Sequence, residues 1–298
     1  MNQTINGVIV IDKPMDMTSH DVVAIMRRKL KTKKIGHTGT LDPMATGVLP
    51  ICIGKATKIV DFLMDQKKTY HCTMMLGTAT DTQDRWGEVI LSGDCTGINE
   101  KEITETILSF VGEIQQIPPM YSALKVNGEK LVDLARKGIV VEREARIRTI
   151  HSIENIDVRQ HTASFLVTCS KGTYIRTLCH DIGIKLGCYA HMTELRRTAS
   201  DPFKIESAMI LEDLSLENID NHIISIEDAL DWMPLIILPR NAELLKQVEN
   251  GVRKNLDRYV KEPEDVKDKF YRVFIEEQFY GLAERLDNGI YMKKLMIG

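Results

Sequence analysis

The sequence is poor in several features at once, and each absence narrows the field. No run of about 18 apolar residues occurs in the 298-residue chain, which excludes a membrane-spanning helix. The amino terminus, MNQTINGVIVIDKP, lacks the basic start, long apolar stretch and small-residue cleavage site of a secretory signal, so the protein is expected in the cytoplasm. Six cysteines (Cys52, Cys72, Cys95, Cys169, Cys179 and Cys188) include no CxxC pair and no histidine at finger spacing. That excludes a zinc finger and a disulfide framework and leaves small, reduced, buried thiols. Internal repeats are missing, and low-complexity sequence is scarce. Nor is one sign of charge in excess: a net charge of −3 does not advertise a nucleic-acid partner.

What is present is ordinary in bulk and uneven in detail. The apolar content of 43% and charged content of 27% suit a soluble globular chain of one large and one small domain. Charge, however, is segregated. RRKLKTKK, Arg27 to Lys34, holds six positive residues and no acid, and further basic groups follow at Lys55, Lys58, Lys67 and Lys68, along Lys125 to Arg148, and at Arg196 and Arg197. Between Lys204 and Asp231, eight acids face a single lysine. The pattern suits one anion-binding face and one solvated face.

Periodicity gives a mixed architecture. VIVIDKP reads as a strand ending at a proline turn, and TSHDVVAIMRRKL as a helix capped by Thr18 or Ser19 with Val22, Val23, Met26 and Leu30 on one face. TYHCTMML alternates, placing Tyr70, Cys72, Met74 and Leu76 on one side of a strand. Asn99 and Glu102 predict a capping box before a helical stripe of Ile103, Ile107 and Val111. Residues Ile117 to Arg148 form a basic, proline-opened insertion with a short helical centre, after which ASFLVTCSKGTYIRTLCHDIGIKLG resumes strand, turn and helix. Strands alternating unevenly with helices predict an α/β or α+β sheet. Proline-punctuated DWMPLIILPR marks a boundary near residue 237, beyond which YRVFIEE and FYGLAERL predict a small β-rich module.

One stretch concentrates unusual residues: GHTGTLDPMATGVLP, Gly36 to Pro50. It reads as a loop whose glycines admit backbone conformations closed to other residues, while Pro43 restricts Asp42 to an extended conformation. A carboxylate held on such a stiff turn serves as nucleophile, base or metal ligand, or simply starts the turn. Metal is the weakest of these, because nearby His37 stands without a second carboxylate or histidine cluster.

Four segments, GHTGTLDPMATGVLP, KTYHCTMMLGTATDTQD, PPMYSALKVNGEKLVDLARKG and CSKGTYIRTLCHDIG, occur in the order and spacing of the TruB family of bacterial tRNA pseudouridine synthases. The resemblance covers about residues 7 to 205. It implies an α+β pseudouridine synthase fold, with a large mixed, mainly antiparallel sheet flanked by helices. Residues 1–237 would form the catalytic domain, with an RNA-binding thumb at about 118–148, and 238–298 a small β-rich PUA-like domain that the sequence matches only loosely. The implied reaction is isomerisation of uridine to pseudouridine in the T loop of tRNA, position 55, without cofactor or metal, by a monomer. By the same resemblance Asp42 is the catalytic aspartate and Tyr70 the tyrosine that stacks on the target base and acts in removing its C5 proton. Arg176 pairs with the aspartate, His37 fills the space left by the flipped nucleotide, and Leu195 packs near the flipped base. Lys125, Lys130, Arg136 and Lys137 of the thumb are expected to grip phosphates. Val132 stands where an aromatic is common, and Asp201 where glycine is usual.

The chemistry asks for the same residue types. Cleaving a bond at an anomeric carbon develops positive charge on the sugar, which one carboxylate can trap or stabilise. No water needs activating, because the same base returns through another atom. A nearby arginine is expected to hold Asp42 ionised. The competing readings are an RNA-binding or RNA-folding protein without activity, for which a paired carboxylate is superfluous, and a nucleoside hydrolase, which wants a second carboxylate or a metal.

Overall fold

A computed structural model of the protein describes residues 5–241, 245, 255–260 and 268–296. The chain runs through β1 (Gly7–Lys13), α1 (Ser19–Lys29), β2 (Ile35–His37), β3 (Thr46–Ile53), α2 (Val60–Met64), β4 (Lys68–Leu76), β5 (Thr78–Thr80), β6 (Val89–Ser92), α3 (Glu100–Leu108) and β7 (Gly112–Gln116). An excursion then carries β8 (Lys125–Val126), β9 (Glu129–Lys130) and α4 (Leu131–Arg136). It returns as β10 (Arg146–Arg159), β11 (Thr162–Cys169), α5 (Ile175–Lys185), β12 (Ala190–Ser200), β13 (Phe203–Lys204) and β14 (Met209–Ile210). Strands β15 (Leu235–Leu238), β16 (Phe270–Ile275), β17 (Gln278–Leu286) and β18 (Gly289–Leu295) follow.

Among the described residues, ten strands form the large sheet in the order β14-β1-β3-β12-β4-β11-β10-β7, with β2 on β3 and β13 on β12. Only the β1–β14 and β3–β12 pairs are parallel. The sheet is therefore mixed and mainly antiparallel. Strands β4 and β11 show the expected period of two, burying Cys72, Met74, Ala163, Phe165 and Val167 against α5 and α3. Strand β3 is buried on both faces: Val48 and Cys52 enter one core, Leu49, Ile51 and Ile53 the other. The second core is closed by α1 through Val22, Val23, Met26 and Leu30, each burial worth about 1.5–3 kcal/mol. Thr18 starts that helix with a full capping box, its side chain accepting from the Asp21 backbone while Asp21 reaches back to the Thr18 backbone.

Two local expectations change. The glycine-rich run is a loop only between its ends, since Gly36 and His37 lie in β2 and Thr46 to Pro50 in β3. The apolar VLPICI segment pairs along β1 and brings those flanks into the sheet. Gly47 is required there: its φ is +103°, and a Cβ would come within 2.2 Å of the Arg197 carbonyl on β12. In α3, Asn99 caps the Glu102 amide, but the helix ends at Leu108 and Val111 lies exposed beyond it.

The four carboxyl-terminal strands form their own sheet, β15-β16-β17-β18, which starts at Leu235, just before the boundary read near 237. Of LPRNAELLKQVENGV, residues 242–244 and 246–252 lie outside the described residues. The small sheet packs on the large domain through Leu282, Met296 and an edge-to-face contact of Phe270 with Phe62 at 5.0 Å. Buried Arg272 joins them further, donating to the carbonyls of Met233 and Asp231 at 2.9 and 3.1 Å. Among the described residues no helix is long and apolar enough to cross a membrane.

Candidate active site

The loop between β2 and β3 is fastened from three sides. Leu41, Met44 and Ala45 point into the core, leaving Asp42 as the polar residue between them at the edge of a cleft of about 620 Å³. Ser19, at the start of α1, accepts the Leu41 amide at 2.9 Å. Beneath Pro43 lies the fully buried Lys13, whose ammonium donates to the carbonyls of Met17, Pro14 and Pro43 at 2.6, 2.7 and 3.3 Å. On the far side Arg197, also fully buried, donates to Val48 and Gly39 carbonyls at 2.6 and 3.3 Å. A turn held this way fixes its carboxylate in advance of any ligand, so little reorganisation is left on binding.

Arg176 comes from the first turn of α5, 134 positions away in sequence, and meets Asp42 directly. Its Nη2 spans both carboxylate oxygens, at 3.0 Å to Oδ2 and 3.2 Å to Oδ1. The same nitrogen donates to the Tyr121 carbonyl at 3.0 Å, and Nη1 stands 3.8 Å from Asp84. Asp84 is itself buried and held by Thr82 Oγ1 and the Trp86 amide at 2.7 and 3.0 Å. One guanidinium thus lies between two carboxylates and the Tyr121 carbonyl. The arginine side chain is 6% exposed and that of Asp42 35%, so the carboxylate is the member open to a ligand.

The protonation balance at Asp42 differs from the expectation that Arg176 simply holds it ionised. Burial pushes the carboxyl above the ordinary aspartate value; Arg176 and, more weakly, Lys13 pull it down, and Asp84 adds to the rise. Burial wins, and the arginine offsets it in part. Tyr70, on β4 beside Arg197 of β12, has its phenol pushed up by burial too, with Arg197 opposing. It is a neutral ring at the cleft wall. Lys68, on the same wall, falls to about 8, chiefly through burial.

Asp42, Tyr70, Arg176 and Leu195 all line this cleft. His37 does not line it: it sits two residues before Gly39, accepts the Gly39 amide on Nδ1 at 3.3 Å and meets His20 edge to face at 5.1 Å. Burial, with lesser help from His20 and Arg197, lowers it to about 4, so it is neutral at physiological pH. Lys125, Lys130, Arg136 and Lys137 gather in a separate concavity on the thumb, where Lys137 pairs with Glu129 at 3.1 Å. Sequence reasoning passed over Lys13, Asp84 and Tyr121 as individual residues and read Arg197 as part of an anion-binding face, whereas it is buried under the loop. Asp84 and Tyr121 lie in motifs that resembled the family, but buried Lys13 and Arg197 carry no local signal, since both types are ordinarily exposed. Among the described residues, no three His, Cys, Asp or Glu side chains are placed to hold a metal ion.

Comparison with known proteins matches this geometry to a lineage. The family model for "TruB family pseudouridylate synthase (N terminal domain)" matches residues 27–175, and that for "tRNA pseudouridylate synthase B C-terminal domain" matches 176–239. A tRNA pseudouridine synthase B of Clostridium perfringens (strain SM101 / Type A) is 51% identical over 294 residues, 98% of this chain and 99% of that one. The chain belongs to the TruB family. A second TruB relative, the tRNA pseudouridine synthase B of Clostridium tetani (strain Massachusetts / E88), is 48% identical over 293 residues, covering 98% of this chain and all of its own. Among solved structures, a Cbf5-Nop10-Gar1 complex aligns with a TM-score of 0.75 at 29% identity, over 98% of this chain and 85% of that one. An H/ACA RNP bound to a substrate RNA containing 2'-deoxyuridine aligns at 0.72 and 26% identity, with 98% and 85% coverage. The TruB pseudouridine synthase fold is thereby shared, with its large mixed sheet and separate small β domain.

Proposed function

We propose that this chain isomerises uridine to pseudouridine at position 55 in the T loop of tRNA, with Asp42 as its catalytic group. Isomerisation of tRNA uridine is the activity of the TruB family to which it belongs, and its relatives at about half identity carry the name tRNA pseudouridine synthase B. The observation that carries the site assignment is the Asp42–Arg176 pair at 3.0 Å, with the carboxylate facing a cleft walled by Tyr70 and Leu195.

The target nucleotide must leave its stack, at a cost of a few kcal/mol that stacking and phosphate contacts repay. The ionised form of Asp42, which Arg176 favours against burial, then traps or stabilises the charge that develops as the bond from C1' to N1 breaks. The base turns, C5 bonds to C1', N1 gains a proton and C5 loses one, so nothing is consumed. Neutral Tyr70 stacks against the base, and the C5 proton leaves past its hydroxyl. Leu195 supplies an apolar contact, and His37, as an uncharged ring behind the loop, fills the space that the everted nucleotide vacates. Lys125, Lys130, Arg136 and Lys137, with the rim residues Arg146, Arg148 and Lys171, grip phosphates. Residues 1–237 serve as catalytic domain with the thumb at about 118–148, and 238–298 as a PUA-like RNA-binding domain. The enzyme acts as a cytoplasmic monomer without cofactor or metal.

The test is to incubate a T-arm transcript with the protein and map pseudouridine by position. Conversion at position 55 is expected; a transcript that binds and stays unmodified would mean an RNA-binding protein on this fold.

A further inference from the structure

The thumb hydrogen-bonds to the catalytic arginine through Tyr121, and that residue is anchored twice. Tyr121 offers its carbonyl to Arg176 Nη2 at 3.0 Å, while its phenol donates to Asp81 Oδ2 at 3.3 Å. Asp81 is in turn fixed by the Glu88 amide on Oδ1 at 2.9 Å. Asp81 and Asp84 lie on one turn between β5 and β6, so the turn that holds the Tyr121 hydroxyl also presents the second carboxylate to Arg176. Burial first, then the charge and hydrogen bond of Asp81, keep the phenol above its ordinary value and therefore a donor. On the other side, the Val132 amide donates to the Ser122 carbonyl and the Leu131 amide to that of Leu124, tying this segment to α4 and the basic face.

Beyond these bonds the guanidinium has the Tyr174 ring, 6.0 Å from its carbon to the centroid. Among the described residues Arg176 Nε is buried without a hydrogen-bond partner, so its hydrogen bonds run through Nη2 and its contact with Asp84 through Nη1.

We infer that Tyr121 is a positioning residue: by anchoring its hydroxyl on Asp81 it holds its own carbonyl on Arg176, and so aligns the Asp42–Arg176 pair when the thumb is seated. This rests on the reading of Asp42 and Arg176 as the catalytic pair. RNA bound to the basic face of the thumb then bears on the catalytic carboxylate through α4, Tyr121 and Arg176, without Tyr121 reacting with the substrate.

The experiment is a double-mutant cycle on the full chain with a T-arm transcript, reading single-turnover rate and transcript affinity separately. Tyr121→Phe keeps the ring and removes the anchor; it is expected to slow turnover roughly fivefold, the scale of one modest hydrogen bond, with affinity within about twofold. Asp81→Ala is expected to slow it at least as much. In the Asp81→Ala background, Tyr121→Phe is expected to add less than about twofold, because the anchoring hydrogen bond is already absent. A wild-type rate for Tyr121→Phe overturns the inference. So do losses that multiply in the double variant, which would mean independent roles, or a loss confined to affinity, which would place Tyr121 in the RNA grip. An Asp42→Asn arm separates the two levels: turnover there would remove the catalytic pair itself, whatever Tyr121 does.

Discussion

His37 ends β2 and Asp42 stands five residues on, in the loop that follows, and burial displaces their proton equilibria in opposite directions. His37 drops to about 4, while Asp42 rises above the ordinary aspartate value. For His37 the unfolded chain takes a proton near about 6.5, which the folded protein refuses until about 4. Across that window the unfolded state holds more protons, so stability is lost as pH falls through it. His37→Gln is expected to flatten the acid-side fall in unfolding free energy, measured by urea titration at several pH values; an undiminished fall would mean that the ring is charged in the folded state. Asp42 contributes with the other sign, losing stability as pH rises past the ordinary aspartate value, because its carboxyl is easier to ionise in water. At this scale the sequence was informative where chemistry is local. Pro43 and the flanking glycines announced a stiff turn with Asp42 on it. The partner of Asp42 stands 134 positions away, and periodicity alone could not bring them together; only the match of whole motifs did. Lys13 escaped notice for a different reason, and Arg197 was read as one cation of an anion-binding face: the burial of both depends on backbone carbonyls that exist only once β1, β3 and β12 are assembled.

Among the elements, the thumb divides its work between two faces. Its root, Tyr121 to Leu124 with Val132, lines the cleft that holds Asp42, whereas its four basic side chains gather apart from it. Val132, standing where an aromatic is common, therefore belongs to the cleft wall. Neutralising Lys125, Lys130, Arg136 and Lys137 together is expected to weaken tRNA binding and make the plot of log affinity against log salt shallower. Each phosphate neutralised is worth a slope of about 0.7–0.9. Lys137, already paired with Glu129, is expected to contribute least. An unchanged slope would move the grip to Arg146, Arg148 and Lys171 at the cleft rim. Helices and alternating strands were legible because each needs only its own period, as in α1, β4 and β11. The flanks of the glycine-rich run were not, because Gly47 to Pro50 become a strand by pairing with β1, more than thirty positions earlier.

Across the whole molecule, topology places the chemistry. Strand β12 runs antiparallel to β4 and, at Arg196 and Arg197, parallel to β3, so the loop entering β3, the Tyr70 strand and the helix leading into β12 converge on one cleft. The small sheet is clamped to this frame by Phe62 against Phe270 and by Arg272 against carbonyls of the connecting segment. Its strands were readable in YRVFIEE and FYGLAERL. Its true start was not, because β15 declares itself only by parallel pairing with β16, more than thirty residues later. The central claim is that a single carboxylate, Asp42, makes and breaks the glycosidic bond. Its most direct test is release of tritium from 5-tritiated uridine in a T-arm transcript by the Asp42→Asn protein. The account predicts no release, with RNA binding retained within roughly tenfold, about 1.4 kcal/mol. Release at a rate near that of the unaltered protein would contradict it.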